Sequence, residues 1–248
     1  MSRFRAAVTH LVPSLLVLAG IAALVIFFWY PYPFWQFGKS GTFAASLILA
    51  AGVAGPLMTL AVYKKGKRGL LIDLWVIAIV QLAAIAWGVF SLHQARPYWM
   101  VYTVDRFEVL SIRDIDRSWI TDSRYLKKPM AGPLVVLARM PADPASYQNL
   151  LREIMFEGKP DLQFRPEYWS LYTERKEDDL QKSRPLAILR DARPDATGTI
   201  DKVVRRNGGD IAGLKFVPVL QNEGQLTAIL DAKSGKLIDM LMIDPWVN

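Results

Sequence analysis

The chain has no cysteine in its 248 residues and only two histidines. Without a thiol there is no cysteine nucleophile, no disulfide exchange and no thiolate-bound metal. An exported domain of this composition must be held by its own core, and about 150 residues are enough to build one. His10 and His93 lie at opposite ends of an apolar N-terminal region, separated by roughly the 30 Å of a bilayer's hydrocarbon. They cannot share a metal or a catalytic triad. The sequence also lacks GxxxxGK[ST], GxGxxG, HExxH and GxSxG, so the common phosphate, dinucleotide, zinc and nucleophile sites are unsupported. Gly38-Lys39-Ser40 matches only the end of a phosphate loop. The run Glu174, Glu177, Asp178 and Asp179 is interleaved with Arg175, Lys176 and Lys182 and reads as a solvated helix face with i,i+4 pairs. A glycosidase would need two carboxylates converging in a cleft, and no spacing indicates that. The expectation is a protein that is not an enzyme, with no catalytic residue, cofactor or metal.

Acid is scarcest in the first third. Residues 1–94 hold seven Lys and Arg but one acid, net +6, and residues 95–248 carry only +1 of the chain's +7. A nucleic-acid binder would carry its excess positive charge on the folded domain. Here that charge flanks three apolar stretches, at about residues 11–30, 43–63 and 70–92. Each is about twenty residues, which at about 1.5 Å per residue matches a hydrocarbon core. The first stretch is too long for a signal peptide's apolar region. It also ends in Phe27-Phe28-Trp29-Tyr30-Pro31, bulky residues unsuited to cleavage, so it reads as a retained helix.

Basic loops resist translocation. Arg3 and Arg5 precede the first stretch, Lys64, Lys65, Lys67 and Arg68 separate the second from the third, and Lys39 stands alone between the first and second. The N-terminus and the basic loop are therefore expected in the cytoplasm. Three crossings then place residues 95–248 in the periplasm of a Gram-negative cell. The loop at residues 31–35, Pro-Tyr-Pro-Phe-Trp, suits the headgroup layer as an anchor or a helix contact. Small residues including Gly52 and Gly55 line the second stretch, with Pro56 a kink site. They serve either close packing within the bundle or a groove for a partner's helix. Asp73 reads as a boundary residue favoured by the helix dipole, or as a proton relay or counter-ion. Gln81 is a candidate interhelical hydrogen-bond donor.

From Tyr98 the pattern changes. Strands are expected near residues 99–104, 107–110 and 133–138. A helix is expected over 141–156 with Asp143 as its cap, then an irregular stretch at 158–170, a polar helix near 172–183 and a shorter one near 198–206. Runs at 214–220, 226–231 and 237–243 are joined by Gln221-Asn222-Glu223-Gly224 and Ala232-Lys233-Ser234-Gly235, which predicts an antiparallel C-terminal meander. The expected fold is thus a three-helix transmembrane bundle, residues 1–94, followed by an α+β periplasmic domain, residues 95–248.

Three segments carry a resemblance: Gly55-Pro56-Leu57-Met58-Thr59-Leu60; Lys67-Arg68-Gly69-Leu70-Leu71-Ile72-Asp73-Leu74 with Gln81-Leu82-Ala83-Ala84; and Arg96-Pro97 followed by Val104-Asp105-Arg106-Phe107-Glu108-Val109. With Asp231-Ala232-Lys233-Ser234-Gly235 and Pro245-Trp246, they resemble the TfpX/TfpZ family of type IV pilin accessory proteins. The likeness is strongest over residues 45–110 and at the C-terminus. It implies an inner-membrane protein that supports assembly or stability of type IV pili, and no enzymatic activity. The partners it implies are the major pilin and the pilus assembly machinery, with Gly52, Gly55, Pro56, Asp73 and Gln81 as candidate membrane contacts. Where that family often carries an acid four residues before its Gly-Pro, this chain has Ala51, so no role for that acid transfers. The chain is not itself a pilin, because its first apolar stretch holds no acid. A membrane-anchored periplasmic sensor or ligand-binding protein acting through a partner is the alternative. The topology has a direct test: alkaline phosphatase fused after Asn248 should be active and a fluorescent protein dark, and a bright cytoplasmic fusion would defeat the three-crossing reading.

Overall fold

Ser2 opens the first helix by accepting the Arg5 backbone N–H on its hydroxyl, 3.3 Å away, satisfying one of the donors a helix start leaves free. Helix α1 then runs Arg3–Leu24 and continues through a π-helical turn, Val25–Trp29. The apolar stretch thus begins its helix eight residues earlier than its hydropathy suggested. The computed structural model describes residues 2–36, 52–221 and 224–247, and the chain divides into two units, Met1–Arg96 and Pro97–Asn248.

The first unit contains α1, a helix α2 at Gly55–Val62 and a helix α3 at Leu70–Ala95. Arg3–Trp29 and Leu70–Ala95 are long and apolar enough to cross a membrane. Of the second expected span, residues 43–51 lie outside the described residues, and the three-helix bundle is not established by what remains. Packing is inverted relative to a water-soluble protein. Ser14, Thr59, Gln81 and Ser91 are buried, whereas Leu16, Leu71, Ile72, Trp75 and Trp87 are each 62–71% exposed. Many large apolar side chains outside, with polar ones inside beside Phe34 and Leu92, are compatible with a membrane anchor.

The second unit is an α/β domain around one mixed sheet. Its strands are β1 (Trp99–Thr103), β2 (Arg106–Leu110), β3 (Leu134–Ala138), β4 (Trp169–Leu171), β5 (Arg184–Pro185), β6 (Leu214–Gln221), β7 (Gly224–Asp231) and β8 (Leu237–Leu241), in the order β4-β3-β1-β2-β6-β7-β8, with β5 also on β6. The expected C-terminal meander is present as β6-β7-β8, antiparallel throughout. The remainder of the sheet is mixed, because β1 pairs β3 and β2 pairs β6 in parallel. Helix α4 (Pro144–Phe156) starts as expected at Asp143, which accepts the Ser146 N–H at 2.8 Å. Its Leu150 packs with Trp99, Val101, Val136 and Trp169. Helices α5 (Leu186–Ala192) and α6 (Thr197–Arg206) build a second core with Leu186, Leu189, Ile200 and Val203 against Phe216, Ile229 and Leu241. Two aromatics of this core donate to backbone: Trp99 Nε1 to the Tyr125 carbonyl and the Tyr98 hydroxyl to that of Leu126, both at 2.8 Å. The Tyr125 hydroxyl donates to the Trp169 carbonyl. These bonds tie the irregular 111–133 segment to β1 and its approach and to β4.

The polar helix expected near 172–183 is absent. Two 3₁₀ turns stand there, Tyr172–Glu174 and Glu177–Leu180. The cause is that its charged residues are used at long range instead of along one helix face. Glu174 pairs with Arg124 at 2.6 Å, Asp179 takes Arg139 through both oxygens at 3.0 and 2.7 Å, and Arg175 donates to the Ser234 carbonyl. The Arg139 guanidinium holds the Asp179 carboxyl below the usual carboxylate range.

One backbone outlier closes the β1–β2 hairpin. Val104 is 52% exposed and adopts φ +50°, a left-handed conformation that a β-branched residue pays for in crowding. Asn tolerates that region, so Val104→Asn should stabilise the second unit by about 0.5–1 kcal/mol and raise its thermal midpoint by about 2 °C. A lowered midpoint in a detergent melt would show that no strain is stored there.

Candidate functional site

The inward face of α2 and the turn before it consists of residues three and four apart. Gly52, Gly55, Pro56 and Thr59 are all buried, while Leu57 and Met58 point outward. With no Cβ, Gly55 lets a neighbour approach to its backbone: a methyl there would lie 2.3 Å from Gln81 Oε1 and 2.7 Å from Gln81 Cδ. Gln81 is itself buried on α3, and its Nε2 donates to Ser14 Oγ on α1 at 3.0 Å. Ser14 in turn donates to the His10 carbonyl at 3.0 Å, and the His10 ring Nδ1 lies 2.6 Å from Thr59 Oγ1. These bonds join α1, α2 and α3 through side chains. In an apolar environment each avoids an unsatisfied polar group, and interhelical bonds of this type contribute about 0.6 kcal/mol on average and up to about 1.7.

The same contacts fix direction. His10 meets Thr59, Ser14 meets Gln81, and the Tyr30 hydroxyl donates to the Leu92 carbonyl at 3.0 Å. Helices α1 and α3 therefore run together and α2 runs against them. Arg3 and Arg5 share one end of the unit with Lys64, Lys65, Lys67 and Arg68, all exposed. The other end is aromatic: Trp29 and His93 meet edge-on with centroids 5.1 Å apart, and the Arg96 guanidinium lies 5.8 Å over the Trp29 ring. Asp73 sits apart from the buried face, ion-paired with Lys67 at 2.6 Å, both side chains more than a third exposed. A groove of about 320 Å³ opens beside the polar residues, lined by Ala6, Thr9, His10, Thr59, Tyr63, Leu74 and Ala78.

Of the residues singled out in the sequence, Gly55 and Gln81 are brought into contact, Gly52 and Pro56 share the buried face of Gly55, and Asp73, in the first turn of α3, pairs with Lys67 of the loop before it. Sequence reasoning passed over Ser14 and Thr59 and left His10 as one of two isolated histidines. The available signal was spacing: His10 and Ser14 are one turn apart, and Thr59 is one turn beyond Gly55 and Pro56. Among the described residues, no three His, Asp or Glu side chains gather to hold a metal. The arrangement supplies packing and hydrogen bonds between helices.

The Gly55–Gln81 contact makes a specific forecast. Gly55→Ala should displace the carboxamide and break its bond to Ser14, whereas in a Gln81→Ala background the same methyl has room. The cost of Gly55→Ala should fall by about 1 kcal/mol when Gln81 is removed, read as the coupling in a double-mutant cycle of unfolding in mixed micelles. Strict additivity would mean that the two residues do not share the space assigned to them.

Comparison with known proteins matches residues 1–37 to the family described as fimbrial assembly protein FimB. The "Fimbrial assembly protein, serogroup I" of Dichelobacter nodosus is 30% identical over 184 residues, covering 72% of this chain and 70% of that protein. The serogroup E1 protein of that organism is 28% identical over 185 residues, with the same coverage. The protein of serogroups C1 and C2 is 34% identical over 111 residues, 43% of this chain and 82% of its own length. No solved structure matches. By this similarity across most of both sequences, the chain belongs to the fimbrial assembly protein family.

Proposed function

We propose that this protein is a non-catalytic accessory factor of the inner membrane, of the TfpX/TfpZ kind, that supports assembly or stability of type IV pili by touching pilin subunits. Kinship with fimbrial assembly proteins carries the reading, and the inverted packing of the first unit supports it. In this reading the apolar helices, with residues 43–63 as the middle one, form a three-helix membrane bundle. The basic end carrying Arg3, Arg5 and Lys64–Arg68 faces the cytoplasm, and the second unit stands in the periplasm. Placing these six cations together at one end, opposite the Trp29–Arg96 end, is what the positive-inside rule asks of such a topology.

Contact with pilin is assigned to the membrane unit. Gly52, Gly55 and Pro56 let the helix backbones close up, and Gln81 locks them through Ser14. The groove beside His10 and Thr59 then gives a neighbouring helix a place to insert a side chain, with Asp73 near its loop end. Small residues and interhelical hydrogen bonds drive helix association where hydrophobicity gives no preference between lipid and protein.

Deleting the gene in the native host and counting surface pili tests this. Pili should fall at least about tenfold, return with the wild-type gene, and not return with Gly52→Leu, provided immunoblots show the variant at wild-type level in the membrane fraction. Unchanged piliation in the deletion strain would refute the proposal.

A further inference from the structure

The second unit holds a pocket of about 500 Å³ whose wall is cationic. It is formed where three separate stretches of chain meet: the 3₁₀ segment after β4, strand β6, and the turn between β7 and β8. Arg175 and Lys176 come from the first, Lys215 from the second and Lys233 from the third. Close approach of the first and third stretches depends on Gly235. At φ +63°, a methyl there would stand 2.3 Å from Leu180 Cδ1 and 2.9 Å from Arg175 Nε. Arg175 is held as part of the wall. It donates to the Ser234 carbonyl from Nε at 3.0 Å and Nη2 at 2.5 Å, and its guanidinium lies 4.7 Å over the Tyr172 ring.

Two carboxylates also line the pocket, and both are engaged. Asp231 accepts the Ser234 backbone N–H and hydroxyl at 2.6 Å each, and Asp178 accepts Gln181 Nε2 at 2.9 Å. Lys176, Lys215 and Lys233 enter no ion pair among the described residues, in a unit where many basic side chains do. Three lysines thus line a recess of a size typical for small ligands. With four cations against two carboxylates, the lining is net positive and favours an anion.

We propose that this pocket binds a phosphate monoester group. The chemistry selects that class. Compact ammonium groups act as separate point charges toward a dianion with several oxygens, whereas a planar carboxylate is best matched by an arginine fork. The one fork present, Arg175, is spent on a backbone carbonyl. An extended polyanion is a poorer fit, because residues 95–248 carry a net charge of only +1 and the cations are gathered in a single recess. The group can arrive on a soluble molecule or on a lipid headgroup, and the pocket's chemistry is the same for both. This assignment stands independently of the pilus reading.

Calorimetric titration of the full chain in nonionic detergent with glycerol 3-phosphate, and of the full chain in nanodiscs with or without phosphatidic acid, tests the proposal. Saturable one-site binding is expected from at least one source, and which of the two binds identifies it. Lys215→Glu with Lys233→Glu should weaken that binding by at least about tenfold. Lys215→Arg with Lys233→Arg, which keeps the charge and controls for folding, should hold it within about threefold. Binding should also weaken as salt rises. The proposal is overturned if neither source binds, or if the charge-reversed chain, melting like the wild type, binds either source as the wild type does.

Discussion

Among the described residues, few polar side chains lie in the interior of the first unit, and Ser14, Thr59 and Gln81 each meet a side chain of another helix. That constraint adds direction that hydrophobicity does not, because many of the unit's large apolar side chains, Trp75 and Trp87 among them, point outward and give no reason for one helix to choose another. Ser14 to Gln81 and His10 to Thr59 supply the reason. A one-turn slip of α3 along α1 would displace Gln81 from Ser14 by about 5.4 Å and break the hydrogen bond that links the two helices there. Gly55 makes the same register a steric requirement, since the carboxamide that reaches Ser14 occupies the space where any other residue's side chain would begin.

The second unit solves the opposite problem, with apolar residues inside and charge at the surface. Without disulfides it relies on two separate clusters, one around Trp99 and Leu150 and one around Phe216 and Ile200. Strands β2 and β6 join them through a parallel pairing. Between the clusters, the rings of Tyr102, Phe107 and Tyr172 meet at centroid distances of 5.1 and 5.6 Å. Burial, with help from Asp105 and Asp179, pushes the Tyr102 phenol up to about 12, so it stays neutral at any physiological pH. The long irregular segments are then pinned from outside by arginine–carboxylate pairs spanning 40 and 50 residues. Each such pair is modest where exposed. What they add is direction, holding 172–183 as turns against the body of the unit.

Legibility differed by element, and the differences have physical causes. Strands β1, β2, β3, β6, β7 and β8 and helix α4 follow from local pattern, because their partners are either adjacent in sequence or demanded by a strong cap such as Asp143. The parallel pairings are invisible in the sequence, since β1 meets β3 and β2 meets β6 over long separations with no local signature. Helix α5 hides in Leu186–Ala192, too short for a periodic pattern. The segment 172–183 misled because alternating charges spaced for i,i+4 pairs look identical whether their partners are on the same helix or 50 residues away. At the candidate site, Gly55 and Gln81 stood out as a small residue and an amide among apolar neighbours. Ser14 and Thr59 did not, because a hydroxyl in a membrane-length helix can bond its own backbone, as Thr9 does to the Arg5 carbonyl at 2.8 Å. Only the tertiary arrangement shows which hydroxyls face a neighbour.

Helix α1 is the strut on which these contacts converge. With Tyr30 just after it, it supplies one partner to four links of the first unit: His10 to Thr59, Ser14 to Gln81, Tyr30 to the Leu92 carbonyl and Trp29 to His93. Residues 1–37, which match the FimB family, therefore contain every α1-side member of those links but neither α2 nor α3. Likeness in that segment alone would leave the partners unspecified. The serogroup I relative extends the similarity over 72% of the chain, much further than the strut by itself. Similarity over that length necessarily reaches into both units, so it is not confined to α1.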